Sequence, residues 1–214
     1  YGLPLTEPDQ QIFCKHTGRS SYSPPAGGFK EACAVVGVQS GKSRLSALIA
    51  SYEGIFADRE ADGTHTYSLV LAQDARGATR TIFSYAAAPF ELPGLNSRVI
   101  NRTATSLELD SGVIIAAYPC RPASIRGLRA KVIVLDEFAF YIGSEDAATD
   151  TEMLRAARGR VATTGGRLVV ISSPYGQSGA LWDMVNAHYG RDESPILVWR
   201  ATAPEMNPTL PTDY

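Results

Sequence analysis

An α/β fold with a mostly parallel central sheet is predicted by three observations on this sequence of 214 residues. First, the runs ACAVVG (32–37) and VIVLD (132–136) are almost wholly apolar, which is typical of strands buried on both faces. Second, segments with apolar residues at helical spacing lie between such runs. Third, residues 97–119 alternate apolar and polar side chains, which predicts an antiparallel excursion at one edge or face of the sheet. Strands that alternate with helices favour three layers, with the sheet in the middle.

The individual elements follow from the same patterns. Residues 1–31 are rich in proline and glycine and predict a loop that contains a short helix in QQIFCK (10–15). The next strand is followed by a glycine turn and by a helix over residues 42–56, whose large apolar residues recur at helical spacing. The remaining predictions, in chain order, are a strand at 66–74, a helix at 75–88, the excursion with a turn at Asp110-Ser111-Gly112, a strand within 130–140 that ends in two acids, a helix near 146–159, a strand at 166–174, a helix near 178–188 and a strand at 195–201.

Composition narrows the class of protein. The 44% hydrophobic and 20% charged residues are those of an ordinary globular chain, and no apolar run is long enough for a transmembrane helix. We expect no signal peptide and no membrane partner. Cys14, Cys33 and Cys120 are too widely spaced for a zinc site or a disulfide framework, which indicates a reducing cytosol. The net charge of -2 argues against DNA binding by bulk attraction, so any contact with DNA must come from a local patch or an assembly.

The glycine turn after the first buried strand has the residues of a phosphate-binding loop. Its glycines are separated by three residues, whereas the usual loop has four. Backbone N–H groups of such a loop converge on phosphate oxygens, and the following helix presents its positive end to them. Lys42 would reach the β- and γ-phosphates, and the Ser43 hydroxyl would bind Mg²⁺. The alternative is a surface turn before a helix. The candidate nucleotide-binding residues are Gly37, Val38, Gln39, Ser40, Gly41, Lys42 and Ser43.

Two adjacent carboxylates make the nucleotide interpretation much stronger. Asp136 and Glu137 follow a run too apolar to be anything but a buried strand. Such acids are costly to bury unless they have cationic partners, which Mg²⁺ and the loop lysine provide. Asp136 would hold Mg²⁺, and Glu137 would polarise the water that attacks the γ-phosphate. Together with the glycine loop, these acids predict an ATP and Mg²⁺ site in a P-loop NTPase core of the ASCE/RecA type.

Two further stretches carry candidate residues with more than one interpretation. In LVVISSP, Ser172 and Ser173 end a strand that should lie near the nucleotide, where hydroxyls could report hydrolysis, although Ser-Ser-Pro also simply stops a strand. The stretch RPASIRGLRAK (121–131) is basic. It could supply an arginine to a neighbouring subunit's γ-phosphate, contact DNA phosphates, or be a solvated loop.

On these residues the chain resembles the ATPase domain of a tailed-bacteriophage terminase large subunit. The matching pieces are GVQSGKS, VIVLDEF, ISSPYGQSGALWDMVNAHYG and RATAPEMNPTLPTDY. The resemblance implies that the short glycine loop is a family trait and that Ser172, Ser173 and Pro174 form the coupling motif. It also implies that Arg126 is a trans-acting arginine. Gln10 or Gln11, in PDQQIF, would read adenine. Many members carry an arginine where this chain has Val38.

The resemblance also implies a function and partners. It implies a DNA-packaging motor that couples MgATP hydrolysis to translocation of double-stranded DNA into a procapsid. It implies a portal protein, a small terminase subunit and a homo-oligomeric ring as partners, with a monomer possible in isolation, in the host cytoplasm. The alternatives are a helicase-like translocase and a nucleotide-dependent binding protein without turnover.

The domain organisation expected from the resemblance has three parts. These are an adenine-side segment at 1–30, an ATPase core at 31–203, and a linker at 204–214 toward a nuclease domain that this chain lacks. We therefore expect no DNA cleavage by this chain.

Overall fold

The computed structural model describes residues 1–57, 63–73, 78–141 and 149–211. Within these ranges the strands form one eight-stranded sheet with helices packed against it. The strands are β1 Glu31–Val36, β2 Thr66–Ala72, β3 Val99–Arg102, β4 Ser106–Leu109, β5 Val113–Pro119, β6 Ala130–Asp136, β7 Arg167–Ser172 and β8 Ile196–Ala201. The α-helices are α1 Glu7–Thr17, α2 Lys42–Phe56, α3 Ala78–Ala87, α4 Pro93–Asn96, α5 Pro122–Ile125, α6 Asp150–Ala162, α7 Ala180–His188 and α8 Ala203–Met206.

The sheet confirms the predicted fold class. Its strand order is β3-β4-β5-β2-β6-β7-β1-β8. The pairs from β5 through β8 are parallel, whereas β3–β4 and β4–β5 are antiparallel. The antiparallel excursion therefore lies at one edge of the sheet, and its predicted turn at 110–112 joins β4 to β5.

Two hydrophobic cores lie on the two faces of the sheet. Successive residues of a strand point to opposite faces, and in β6 Ile133 and Leu135 belong to one core while Val132 and Val134 belong to the other. The first core includes buried residues of α6 and α7, and the second includes those of α2 and α3. The central strands are buried on both sides, which explains why their sequences lack alternation.

Local sequence signals account for several helix ends. The Thr6 hydroxyl accepts a hydrogen bond from the backbone N–H of Asp9 at the start of α1, and Gly18 ends this helix in the left-handed conformation. A capping box between Thr149 and Glu152 begins α6. The helix α2 begins at Lys42 directly after the glycine turn, so its N-terminal N–H groups face that turn.

Some predicted boundaries differ from the structure. The strand β6 stops at Asp136, and residues 138–140 form a turn of 3₁₀-helix, because Glu137 takes a left-handed conformation that ends the strand. The helix in the first segment is longer than QQIFCK, since it begins after the Thr6 cap. The short helices α5 and α8 were not predicted.

Several predictions fall partly outside the described residues. These are the starts of the helices at 75–88 and 146–159, the end of the strand at 66–74, and the last residues of the 204–214 segment. The expected boundary at 203/204 falls within α8. Within the described ranges, no helix is long and apolar enough to cross a bilayer.

Candidate functional site

The candidate residues meet at the carboxyl edge of the central strands. The strand β7 pairs with β6 on one side and with β1 on the other, all in parallel. The glycine turn follows β1, Asp136 is the last residue of β6, and Ser172 is the last residue of β7. Because parallel strands end at the same edge, three segments that are distant in sequence become neighbours there.

The glycine turn uses its two glycines for different reasons. A Cβ on Gly37 would lie 2.7 Å from the backbone nitrogen of Ala203, so only glycine allows this close approach. Gly41 has φ +82°, in the left-handed region, with open space around it. Between them, Gln39 also has a positive φ, of 64°. The shortened turn therefore places a non-glycine residue in a conformation that side chains disfavour.

Two contacts join the start of α2 to the acidic pair. The Lys42 Nζ lies 3.0 Å from Glu137 Oε1, and the lysine side chain is only 9% exposed. The Ser43 hydroxyl donates to Asp136 Oδ2 at 3.1 Å. A further hydroxyl, from Ser46, donates to Asp136 Oδ1 at 3.2 Å. The lysine, the serine and both acids thus form one contiguous cluster.

Burial sets the electrostatics of the acidic pair. Asp136 is 2% exposed, and burial, reinforced by the nearby Glu137 charge, raises the pKa of its carboxyl group. The hydroxyls of Ser43 and Ser46 and the Lys42 charge oppose that rise in pKa. Glu137 leaves the strand with φ 55°, again in the left-handed region. The carboxylate pair is therefore held at an energetic cost, which is common where charge is used for chemistry.

The site has room and unused polar atoms for a phosphate and a cation. A cavity of about 340 Å³ borders the turn. The Ser40 hydroxyl and Glu137 Oε2 are buried and lack a hydrogen-bond partner within the described part of the chain. Such atoms are costly unless a ligand bonds them. Asp136 and Ser43 offer the oxygen atoms that Mg²⁺ prefers, so these residues fit a magnesium-bound phosphate group. The cavity is lined by Gln39, Ser40, Gly41, Lys42, Ser43, Arg44, Tyr85 and Asn207.

The predicted coupling stretch contacts the segment after the acids. The Ser172 hydroxyl accepts a hydrogen bond of 3.0 Å from the backbone N–H of Ala139, close after Glu137 in the chain. Ser172 and Ser173 are buried, whereas Pro174 is exposed. The end of β7 is thereby fixed both to the turn that carries Glu137 and, through the sheet, to the strand before the glycine turn.

Sequence reasoning missed four residues of the site. Ser46 lies one helical turn beyond Ser43, so its spacing could have indicated that it faces Asp136. Arg44 lies with its guanidinium carbon 5.3 Å from the centroid of the Tyr85 ring at the border of the cavity. The Asn207 side chain donates to the Gln39 carbonyl oxygen at 3.0 Å. No local pattern links Tyr85 or Asn207 to the turn, because the tertiary fold alone brings them there.

Comparison with solved structures identifies the fold. The chain is similar to the large terminase of a thermophilic bacteriophage, with a TM-score of 0.61 and 13% identity, over 99% of this chain and 48% of that one. It is also similar to the bacteriophage HK97 large terminase, with a TM-score of 0.62 and 22% identity, over 92% of this chain and 39% of that one. The chain shares its fold with phage large terminases.

Other comparisons complete this result. The large terminase of the same thermophilic phage, described in complex with ADP, matches with a TM-score of 0.58 and 16% identity, over 98% of this chain and 48% of that one. The chain spans about half the length, or less, of the terminase structures that it matches. Comparisons with protein-family models and with curated proteins gave no match.

The remaining predicted residues are spread over this terminase fold. Gln10 and Gln11 are exposed on α1, and the Gln10 side chain donates to the Leu5 carbonyl oxygen at 3.1 Å. Among the described residues that line the cavity, neither glutamine is present. Val38 is 59% exposed on the turn. Arg126 is exposed between α5 and the amino end of β6, and the described contacts do not join it to the acidic pair.

Proposed function

We propose that this chain is the ATPase motor domain of a viral terminase large subunit, in which MgATP hydrolysis drives translocation of double-stranded DNA. One observation carries the proposal. The Lys42–Glu137 and Ser43–Asp136 contacts bring a phosphate-binding lysine, a hydroxyl and two acids into one cluster. The shared terminase fold supports this function, and so does the ADP complex described for one structural relative.

The residues of the turn would bind and orient the nucleotide. The N–H groups of the turn and of the first residues of α2 would donate to the phosphate oxygens. Lys42 would place its charge against the β- and γ-phosphates, and Ser43 and Asp136 would hold Mg²⁺. When bound, Mg²⁺ supplies positive charge against the phosphate oxygens. The chain's own part is to fix these oxygen ligands in place, which the hydrogen bond between Ser43 and Asp136 favours.

Glu137 would activate the attacking water. Its Oε1 is held by the Lys42 ammonium, which keeps the carboxylate ionised and oriented. Its Oε2 has no partner in the described part of the chain and can accept a hydrogen bond from a water molecule. As the water attacks phosphorus, Glu137 would take its proton and the γ-phosphoryl group would separate from ADP.

The end of β7 would pass the result of hydrolysis onward. The hydrogen bond from Ala139 to the Ser172 hydroxyl joins the turn of the general base to residues 172–174. A shift at Glu137 after loss of the γ-phosphate would therefore move this stretch. We propose the sequence-derived coupling role for Ser172, Ser173 and Pro174 on this ground.

The proposed setting is the packaging assembly. Partners would be double-stranded DNA, a portal protein and a small terminase subunit, with the chain in a homo-oligomeric ring in the host cytoplasm. An adenine contact by Gln10 or Gln11 remains a prediction.

The decisive experiment is phosphate release measured with and without duplex DNA. The wild-type chain should release phosphate from MgATP, and Lys42→Ala should slow release at least about a hundredfold, because a preorganised charge at the γ-phosphate is lost. Lys30→Ala is the matched control, since this exposed lysine donates to the Gly165 carbonyl oxygen and should keep the rate. If wild-type protein binds ATP without releasing phosphate, the chain is a nucleotide-dependent binding protein and the motor proposal is wrong.

The trans-acting role of Arg126 can be tested by mixing subunits. In the assembled motor, Arg126→Ala should lower hydrolysis at least about a thousandfold, because the transition-state charge loses its guanidinium partner. Subunits with Lys42→Ala keep Arg126, so mixing them with Arg126→Ala subunits should restore part of the rate. No recovery in the mixture, or an equal loss in the isolated domain, would show that Arg126 does not act in trans.

A further inference from the structure

The segment that follows β8 has its own rigid structure, built by local signals. We call residues 202–209 the clamp segment. Thr202 and Glu205 form a capping box that begins α8. Glu205 also pairs with Lys15 of α1 at 2.7 Å. The Lys15 hydrogen bond, followed by those from Thr202, lowers the pKa of Glu205 to about 2. The clamp segment is thus anchored on α1 and keeps its charge pair at ordinary pH.

The clamp segment touches the first glycine of the phosphate turn. Ala203 is buried, and a Cβ on Gly37 would lie 2.7 Å from its nitrogen and 2.8 Å from its Cβ. These atoms belong to the backbone and to a short, rigid side chain, so they cannot move aside easily. The backbone of Gly37 therefore rests directly on the first residue of α8.

A second contact reaches the middle of the same turn. The Asn207 Nδ2 donates to the Gln39 carbonyl oxygen at 3.0 Å. The other side of the amide accepts from the Thr209 backbone N–H at 3.2 Å and from its hydroxyl at 2.7 Å. Because Thr209 occupies the amide oxygen, the NH₂ group must face Gln39, and this assignment of the amide needs no further partner.

We infer that Asn207 is a positioning residue of the phosphate turn, acting through Gln39. The left-handed conformation of Gln39 is disfavoured for a residue with a side chain, so a partner must hold its peptide group. The Asn207 amide does so from one side while Ala203 supports Gly37 from the other. The turn's N–H groups are thereby preorganised for phosphate before it binds. This inference rests on the proposed function, because it concerns binding at the same site.

Nucleotide affinity tests the inference first. A fluorescent ADP analogue with Mg²⁺ should bind Asn207→Ala about three- to tenfold more weakly than wild type, the loss expected for one net hydrogen bond. The matched control is Asn96→Ala, because the Asn96 amide also donates to a backbone carbonyl, that of Phe90, away from the turn. Asn96→Ala should bind the analogue as wild type does. Equal affinity of Asn207→Ala and wild type would overturn the inference.

A change of background separates positioning from direct contact with the nucleotide. Glycine adopts the left-handed conformation without strain, so Gln39→Gly removes the need for an external partner. If Asn207 acts through Gln39, the affinity loss from Asn207→Ala should shrink to less than about twofold in the Gln39→Gly background. A loss of the same size in both backgrounds means that Asn207 contacts the nucleotide itself, and the inference is wrong.

Hydrogen exchange gives a readout that needs no nucleotide. In the protein alone, Asn207→Ala should speed amide exchange at residues 39–41 about three- to tenfold, whereas Asn96→Ala should not. Unchanged exchange at these residues overturns the inference. Faster exchange and weaker binding in a protein that does not hydrolyse ATP would support the inference and contradict the motor proposal. No binding of the analogue by wild type would overturn both.

Discussion

The two ends of the parallel strands differ in how their polar groups are satisfied. At the amino end, Arg167 begins β7 and donates to the carbonyl oxygens of Phe29 and Gly27 at 2.6 and 3.0 Å. The same guanidinium pairs with Glu53 at 3.1 Å. Nearby, Arg158 holds the Glu31 carboxylate with two nitrogens. Charges at this end have partners, as expected of a region selected for stability.

The carboxyl end has the opposite character. Within the described ranges, Gln39 and Glu137 are the only residues other than glycine with a positive φ, and both lie here. The buried Ser40 hydroxyl and Glu137 Oε2 lack partners in that same part of the chain. Asp136 is buried with a raised pKa. Strain, unused polar atoms and a perturbed carboxylate therefore concentrate at one end of the sheet, which is the pattern of a functional site and not of a structural one.

The largest effect on stability should come from the amino end. Arg167→Ala should lower the free energy of unfolding by about 2–4 kcal/mol, because Glu53 and two backbone carbonyl oxygens lose a charged donor in a largely buried setting. Chemical denaturation measures this change. The control is Arg158→Ala, whose more exposed guanidinium should contribute less than about 1 kcal/mol. If the two variants lose equal stability, burial does not distinguish the pairs and the comparison fails at this end.

A smaller effect of opposite sign is expected at the carboxyl end. Asp136→Asn should raise the free energy of unfolding by about 0.5–2 kcal/mol while abolishing hydrolysis, because it removes a buried charge beside Glu137. A raised pKa means that the folded protein binds the Asp136 proton more tightly than the unfolded chain does. Wild-type stability should therefore fall as pH rises upward from the ordinary value of 3.8, and the advantage of Asp136→Asn should grow over that range.

Thermal unfolding from about pH 4 to about pH 8 measures this advantage. Asp183→Asn is the control, because Asp183 is exposed on α7 and should give no comparable gain. A destabilised Asp136→Asn protein at neutral pH would show that the buried carboxylate contributes to stability, and the contrast between the two ends would be lost.

Much of this architecture was predictable because its signals are local. Apolar runs of strand length indicated the central strands, and alternation indicated the excursion at the edge. The glycine turn and the acidic pair were recognisable because each is a short motif at the end of a buried strand. Helix ends were less predictable. The strand β6 stops at Asp136 only because Glu137 turns into the left-handed region, which no local residue preference favours.

The sequence by itself determined the layers of the sheet, its antiparallel edge and the identity of Lys42, Ser43, Asp136 and Glu137 as candidates, since periodicity and short motifs specify these features. Only the tertiary structure decided that Ser46 donates to Asp136, that Tyr85 borders the cavity and that Asn207 holds the turn. The reason is physical. Such contacts join segments far apart in the chain, and the parallel pairing of β6, β7 and β1 is what brings the acids to the glycine turn.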